Sequence, residues 1–228
     1  QDRSSAASDV YKRQILLCVK PNQTKEVLTK FDKKAKNKVF VSFIAGIQIS
    51  SISSYLENKK QKIIRIMPNI FIQFNKSSSA IFSKNLTSIE KCKFEKLFSF
   101  FGYFVWLKNE NDFDFFTAMF GGGPAYLLYI MSCFNEISKK NKIKEKDSIN
   151  LLVKLLEGTC EILKKHPRNL DLFINKVTSK GGTTEEAMKI LKEKKIIFNK
   201  FNTALKSAKK KSMLPVSYTH LTLPTNGL

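Results

Sequence analysis

Val39-Phe40-Val41-Ser42-Phe43-Ile44 and Lys62-Ile63-Ile64-Arg65-Ile66 are short, nearly unbroken apolar runs, the first closed by Ala45-Gly46 and the second by Met67-Pro68-Asn69. Runs of this length, rich in β-branched residues and lacking an alternating polar face, read as strands buried on both faces of a parallel sheet. Between them, Ile49 to Leu56 reads as a short helix. Upstream, Ile15-Leu16-Leu17-Cys18-Val19 is a third such run, stopped by Lys20-Pro21 and followed by a predicted helix from Asn22 to Lys36. Strand and helix alternate, which implies βαβ units. Downstream, Ser79 to Phe82 and Tyr103 to Leu107 are predicted outer strands flanking a helix from Thr87 to Phe101.

From Asp112 onward strand signals stop, and apolar-periodic segments follow at about 112–140, 145–165, 168–177, 184–193 and 195–210. Gly121-Gly122-Gly123-Pro124 interrupts the first of them, and glycines followed by proline must break or bend a helix there. The expected class is α/β plus all-α: a partial parallel-sheet domain over 15–110, then a helical domain over 111–212. Residues 1–14 and the tail over 213–228 match neither the lysine- and isoleucine-rich composition nor the periodicity of the rest. They resemble translated adapter sequence and are set aside from the fold.

The formal charge of +21 over 228 residues invites a nucleic-acid reading. However, only four of the 40 basic residues are arginine (Arg3, Arg13, Arg65 and Arg168), and the lysines are spread along the whole chain. Phosphate and groove readers favour arginine forks, so the charge reads first as codon bias. Nucleic acid is therefore not expected as a partner, and neither is a membrane, because no apolar run reaches the roughly 18 residues of a span. Cys18, Cys92, Cys133 and Cys160 are scattered, with no CxxC pair and no clustered histidine. This fits a reducing cytoplasm and suggests no metal site. The aromatic group Phe98, Phe100, Phe101, Tyr103, Phe104 and Trp106 reads as core, and His166 as a helix-end residue.

Val177-Thr178-Ser179-Lys180-Gly181-Gly182-Thr183-Thr184-Glu185-Glu186 is a glycine-and-hydroxyl loop running into an amphipathic helix. Thr183 and Glu186 have the spacing of a capping box. The unpaired N–H groups and positive dipole end of a helix start can also seat a small anion. From these ten residues alone, a capped helix after a turn and an anion seat both remain open.

Five pieces stand in one order: Val19-Lys20-Pro21, Ser42-Phe43-Ile44-Ala45-Gly46, Arg65-Ile66-Met67-Pro68-Asn69, Gly121-Gly122-Gly123-Pro124-Ala125-Tyr126 and Thr178-Ser179-Lys180-Gly181-Gly182-Thr183-Thr184. In this order and at these intervals they resemble the pyrroline-5-carboxylate reductase family over about residues 15–212. The resemblance implies a Rossmann-type nucleotide-binding domain, a helical dimerisation domain, and reduction of a cyclic imine to proline with NADPH or NADH. It further implies a homodimer or higher homo-oligomer acting on a small-molecule substrate. By the resemblance, Val19, Lys20, Pro21, Ala45, Gly46, Met67 and Asn69 border the cofactor at the carboxyl ends of the strands. Ser179, Gly181, Gly182 and Thr183 receive the substrate carboxylate, and the Thr184 hydroxyl lies near the ring nitrogen as the catalytic candidate. Arg65, lying within its strand, is expected to be a structural partner.

Three residues depart from the family pattern: Lys180, where many members have proline, and Phe120 and Gly122, where many have serine. No strand with a glycine-rich turn precedes Ile15, so the resemblance implies a chain truncated before that unit, inactive as a fragment. Two competing readings are another nicotinamide-dependent dehydrogenase with a Rossmann domain and helical bundle, and a basic helical nucleic-acid-binding protein. The dehydrogenases usually place lysine and asparagine where Phe115 to Gly123 has neither, and the basic-protein reading leaves the ordered motifs unexplained.

Overall fold

The alternation of apolar runs and helices produces one five-stranded sheet in a computed structural model that describes residues 14–31 and 38–213. The strands are β1 (Gln14–Leu17), β2 (Val39–Ser42), β3 (Lys62–Met67), β4 (Ser77–Phe82) and β5 (Gly102–Trp106), and they lie in that order across the sheet. β1 pairs parallel with β2 from Gln14 opposite Val39, and β2 pairs parallel with β3 from Val39 opposite Lys62. Gln14 therefore joins the sheet, although the sequence reading assigns it to the foreign segment. The remaining adapter-like residues, 1–13 and 214–228, lie outside the described residues, as does the 32–36 portion of the expected Asn22–Lys36 helix. What is described there is a 3-10 turn at Pro21–Gln23 and helix α1 (Thr24–Thr29).

The outer strands form where expected, but β4 runs antiparallel to β3, with Arg65 opposite Phe82. The connection explains this. Only Pro68 to Lys76 separates them, mostly a 3-10 stretch at Ile70–Phe74, which is too short for a crossover to a parallel neighbour. β4 and β5 are parallel, joined through α3 (Ser88–Phe98), while α2 (Ile49–Tyr55) links β2 and β3.

Alternation along the strands sends Phe40 and Ile63 to one face and Val41, Ile64 and Ile66 to the other. The first face packs with Leu28, Ile49, Ile52, Phe113 and Phe116, and the second with Phe94 and Phe98 of α3. The expected aromatic core is only partly so. Phe98 is buried and Phe101, Phe104 and Trp106 pack beside it, but Phe100, in the turn before β5, and Tyr103, on the strand face opposite Phe104 and Trp106, are exposed.

Beyond Leu107 come α4 (Phe113–Phe116), a π-helical turn at Thr117–Gly121, and α5 (Gly123–Lys140) with Pro124 in its first turn. Then follow α6 (Glu145–Lys165), α7 (Leu170–Lys176), α8 (Thr183–Lys192) and α9 (Ile196–Ser212). Among the described residues, those up to Pro124 together with those from Lys206 form one compact unit, and Ala125–Leu205 forms a second. Within the second unit Leu127, Leu128, Leu151, Leu155, Ile190 and Phe198 are all exposed, a larger apolar surface than a solvated bundle presents.

Two local features of the fold are testable. Ser148 on α6 is 1% exposed, and its hydroxyl has no hydrogen-bond partner among the described residues. A buried donor left unmade is costly, so Ser148→Ala should raise unfolding stability by about 1 kcal/mol, read as a higher denaturant midpoint. At the start of α3, Thr87 and Glu90 form a capping box, and Lys62 also bonds the Glu90 carboxylate. The Lys62 bond first, then the Thr87 N–H, hold the Glu90 carboxyl below the usual carboxylate range. A depressed folded-state pKa contributes stability above the unfolded carboxylate pKa, and that contribution disappears as pH falls through the folded value. Glu90→Gln should therefore be less stable than wild type at neutral pH and equal to it in acid. A gap that persists in acid would count against this assignment.

Candidate functional site

Three of the expected pieces lie side by side, because β1, β2 and β3 are parallel neighbours and each piece follows a carboxyl end. After β1, Val19 packs against the first core face, the Lys20 side chain is exposed and Pro21 is half-buried. The Lys20 carbonyl accepts from the Gln23 N–H at 3.0 Å and the Thr24 hydroxyl at 3.2 Å, which fixes the turn into α1. After β2, the Phe43 N–H donates to the Leu17 carbonyl at 3.0 Å, tying this end to β1. Ala45 is half-buried, and Gly46 is exposed with φ +73°, a turn conformation that glycine adopts without strain.

After β3, the polar atoms of Asn69 are engaged by the protein. Its side-chain oxygen accepts from the Phe71 N–H at 3.1 Å, and its amide donates to the Phe120 carbonyl at 3.0 Å. Its backbone N–H donates to the Ser77 hydroxyl at 3.0 Å, and Ser77 is hydrogen-bonded to Ser79. At 9% exposure, Asn69 binds the end of β3 to the π-helical turn. Met67 is half-buried against the same core, and its Cε lies 4.0 Å from where a Cβ on Gly121 would stand. π-helical turns occur often at functional sites, and here the turn carries the glycine run that opens α5.

Arg65 is a structural partner, as expected: 7% exposed, paired through Nη1 with Glu110 at 2.6 Å, with its guanidinium 4.4 Å from the Phe113 ring centre. Glu110 was not singled out by the sequence reading, and nor were Ser77 and Ser79. A buried arginine announces that some carboxylate must face it, but sequence alone cannot select one 45 residues away.

The glycine-threonine loop lies in the second unit. The expected Thr183–Glu186 capping box does not form. The helix starts one residue earlier in register, with Gly182 as N-cap and no side-chain cap, and Glu186 pairs with Lys189 instead. The Glu185 carboxylate reaches back to the Gly181 N–H at 2.7 Å, so a carboxylate does sit on this loop, supplied by the helix itself. Gly181 has φ +73°, and the Gly182 N–H closes a turn onto the Ser179 carbonyl at 3.0 Å. Ser179 and Thr183 are exposed, and Thr184 is half-buried. Thr183 and Thr184 are the first two residues of α8, where backbone N–H groups have no intrahelical acceptor.

His166 caps the end of α7's predecessor α6 and stacks near Phe173. Among the described residues no group of three or more His, Cys, Asp or Glu side chains is placed to hold a metal, and no helix is long and apolar enough to cross a membrane.

A Cβ at position 182 would stand 2.5 Å from the Ser179 hydroxyl and 3.0 Å from its carbonyl. Gly182→Ala should therefore open the 179–182 turn. The expected result is faster amide exchange at Gly181 to Thr184 with little change in the sheet unit; unchanged exchange would show the turn tolerates a Cβ.

The family profile described as "Pyrroline-5-carboxylate reductase dimerisation" matches residues 110–214. The pyrroline-5-carboxylate reductase of Aquifex aeolicus is 32% identical over 181 residues, covering 79% of this chain and 67% of that protein. Pyrroline-5-carboxylate reductase 1 of Bacillus subtilis is 28% identical over 181 residues, 78% of this chain and 60% of that protein. The chain thus spans about two thirds or less of these relatives' length. A crystal structure of Plasmodium falciparum pyrroline carboxylate reductase with NADP bound superposes with a TM-score of 0.77 at 26% identity, covering 88% of this chain and 76% of that one.

Proposed function

The chain belongs to the pyrroline-5-carboxylate reductase family, and we propose that it forms part of a cytoplasmic oxidoreductase that reduces 1-pyrroline-5-carboxylate to L-proline with NADPH or NADH. The observation that carries this reading is the parallel register of β1, β2 and β3, which aligns Val19 to Pro21, Ala45 to Gly46 and Met67 to Asn69 along one edge. Ligands of open α/β sheets bind outside the carboxyl ends of strands. These residues fit a nicotinamide cofactor: the positive-φ turn at Gly46 exposes backbone, and Lys20 presents an exposed cation for phosphate.

In this reading Val19, Lys20, Pro21, Ala45 and Gly46 seat the cofactor. Met67 borders its nicotinamide side, and Asn69 acts there by holding the Phe120 carbonyl and the π turn in place. Ser179, Gly181, Gly182 and Thr183 receive the substrate carboxylate. The Glu185 carboxylate on the Gly181 N–H supports this assignment, since it is the same chemical group on the same donor. The free N–H groups and dipole of α8 add to the attraction. When bound, the reduced nicotinamide supplies hydride to the C=N carbon, so little side-chain acid is demanded of the protein. Thr184 orients the ring nitrogen through its hydroxyl or helps deliver its proton. The exposed leucines of the Ala125–Leu205 unit are the surface on which a second copy packs, giving a homodimer or larger homo-oligomer.

The test is oxidation of NADPH, or of NADH, by the full-length protein given pyrroline-5-carboxylate, with proline as product. No turnover with either cofactor would overturn the reading. Thr184→Ala should lower kcat by about tenfold or more while leaving cofactor affinity unchanged. Unchanged turnover would remove Thr184 from the chemistry.

A further inference from the structure

We propose that Glu110 is a positioning residue whose carboxylate anchors the Ala45–Gln48 turn and thereby sets the affinity for the nicotinamide cofactor; this rests on the cofactor seat assigned above. The side chains of Glu110 and Arg65 are each 9% exposed, and a single Glu110 oxygen, Oε1, does two things. It accepts from Arg65 Nη1 at 2.6 Å, and it accepts from the Ile49 backbone N–H at 2.7 Å. Ile49 is the first residue of α2 and lies three residues beyond Gly46, so the carboxylate holds the downstream end of the turn. The upstream end is held separately, by Phe43 on the Leu17 carbonyl and by the Ile44 N–H on the Ser42 hydroxyl at 3.3 Å. Between the two anchors Ile47 packs against the core. The turn that carries Ala45 and Gly46 is thus fixed at both ends.

Arg65 keeps the anchor in place. Its guanidinium lies over the Phe113 ring and bonds the same Glu110 oxygen that accepts from Ile49. Gly46, Gln48, Arg65 and Glu110 line a cavity of about 370 Å³, so the anchor borders open space beside the turn rather than solid core. Fold stability alone does not require a charged pair here, because a buried ion pair is often replaceable by apolar residues of similar volume without loss. What an apolar side chain cannot supply is an acceptor for the Ile49 N–H.

That distinction is the test, made in the full-length protein with NADPH as the probe, followed by fluorescence titration, steady-state kinetics and amide exchange. Arg65→Met with Glu110→Gln removes both charges and keeps an acceptor, and Arg65→Met with Glu110→Leu removes both charges and the acceptor. The Gln variant should bind NADPH within about twofold of wild type. The Leu variant should melt near the Gln variant, yet show a Kd and KM for NADPH raised about tenfold, with kcat at saturating NADPH little changed and faster exchange at Ile49. Ile49→Pro removes the donor itself where Gln48 already has the extended backbone (ψ 156°) that a following proline requires, and should raise the NADPH Kd similarly. Equal NADPH affinity in the Gln and Leu variants, or a loss confined to kcat and melting temperature, would overturn the anchor. A wild-type protein that binds no NADPH would instead overturn the function on which it rests.

Discussion

Arg65 stands near the carboxyl end of a strand buried on both faces, and a guanidinium in that setting has to be matched by a carboxylate. Much of the geometry of the sheet unit follows from how the match is made. Glu110 comes from the segment just after the last strand, and Phe113, three residues on, supplies the aromatic face beneath the cation. The same carboxylate oxygen takes the first N–H of α2. One charge at the end of β3 therefore gathers the turn after β2, the strand itself and the entry to the helical region. Asn69 makes a second tie four residues later, reaching the Phe120 carbonyl in the π turn. The end of the central strand is thus pinned on both sides by polar groups whose partners lie 45 and 51 residues away.

The parts of this arrangement legible in the sequence are those governed by local pattern. Unbroken apolar runs at Val39 and Lys62 identify two-faced strands because side-chain alternation gives each face its own core, and the helical periodicity beyond Asp112 is equally local. The direction of β4 is not written in its own residues. It follows from the shortness of the Pro68–Lys76 connection, which a reading of strand propensity alone passes over. Of the candidate site, the placement of the strand-end residues is legible to a similar depth. Ordered motifs pick out the residues at the three strand ends, and the structure brings them to one edge. Their hydrogen-bond partners are not legible, because Glu110, Phe120 and Ser77 become partners only through the fold.

The capping of α8 shows how close competitors escape pattern reading. Thr183 and Glu186 have capping-box spacing, but Thr184 and Glu185 offer the same kinds of group one residue along. The left-handed Gly181 and the tight Ser179–Gly182 turn place Gly182 at the N-cap, which moves Thr183 into the helix and points Glu185 rather than Glu186 back at the loop. At Thr87 the box forms as spaced, and no glycine turn precedes it to shift the register.

If the loop seats the substrate carboxylate as proposed, the Glu185 contact also bears on how it discriminates among anions. The Gly181 N–H is a single backbone donor, strengthened by its place at a helix start, and a flexible glutamate on the same helix satisfies it. Any carboxylate ligand that takes this donor must displace Glu185, and the released side chain then lies beside it as a like charge. A weakly bound anion gains too little to offset that repulsion. A ligand that also engages Ser179, Thr183 and the free N–H groups of α8 gains several bonds for the one it displaces. In the proposed carboxylate seat, the internal carboxylate would thus raise the threshold for occupancy and favour ligands that contact the whole loop, a selectivity that the glycine-threonine motif alone does not contain. Lys180, exposed beside Gly181, would act in the opposite sense in that reading, adding a positive charge where the negative charges of the proposed ligand and of Glu185 come together.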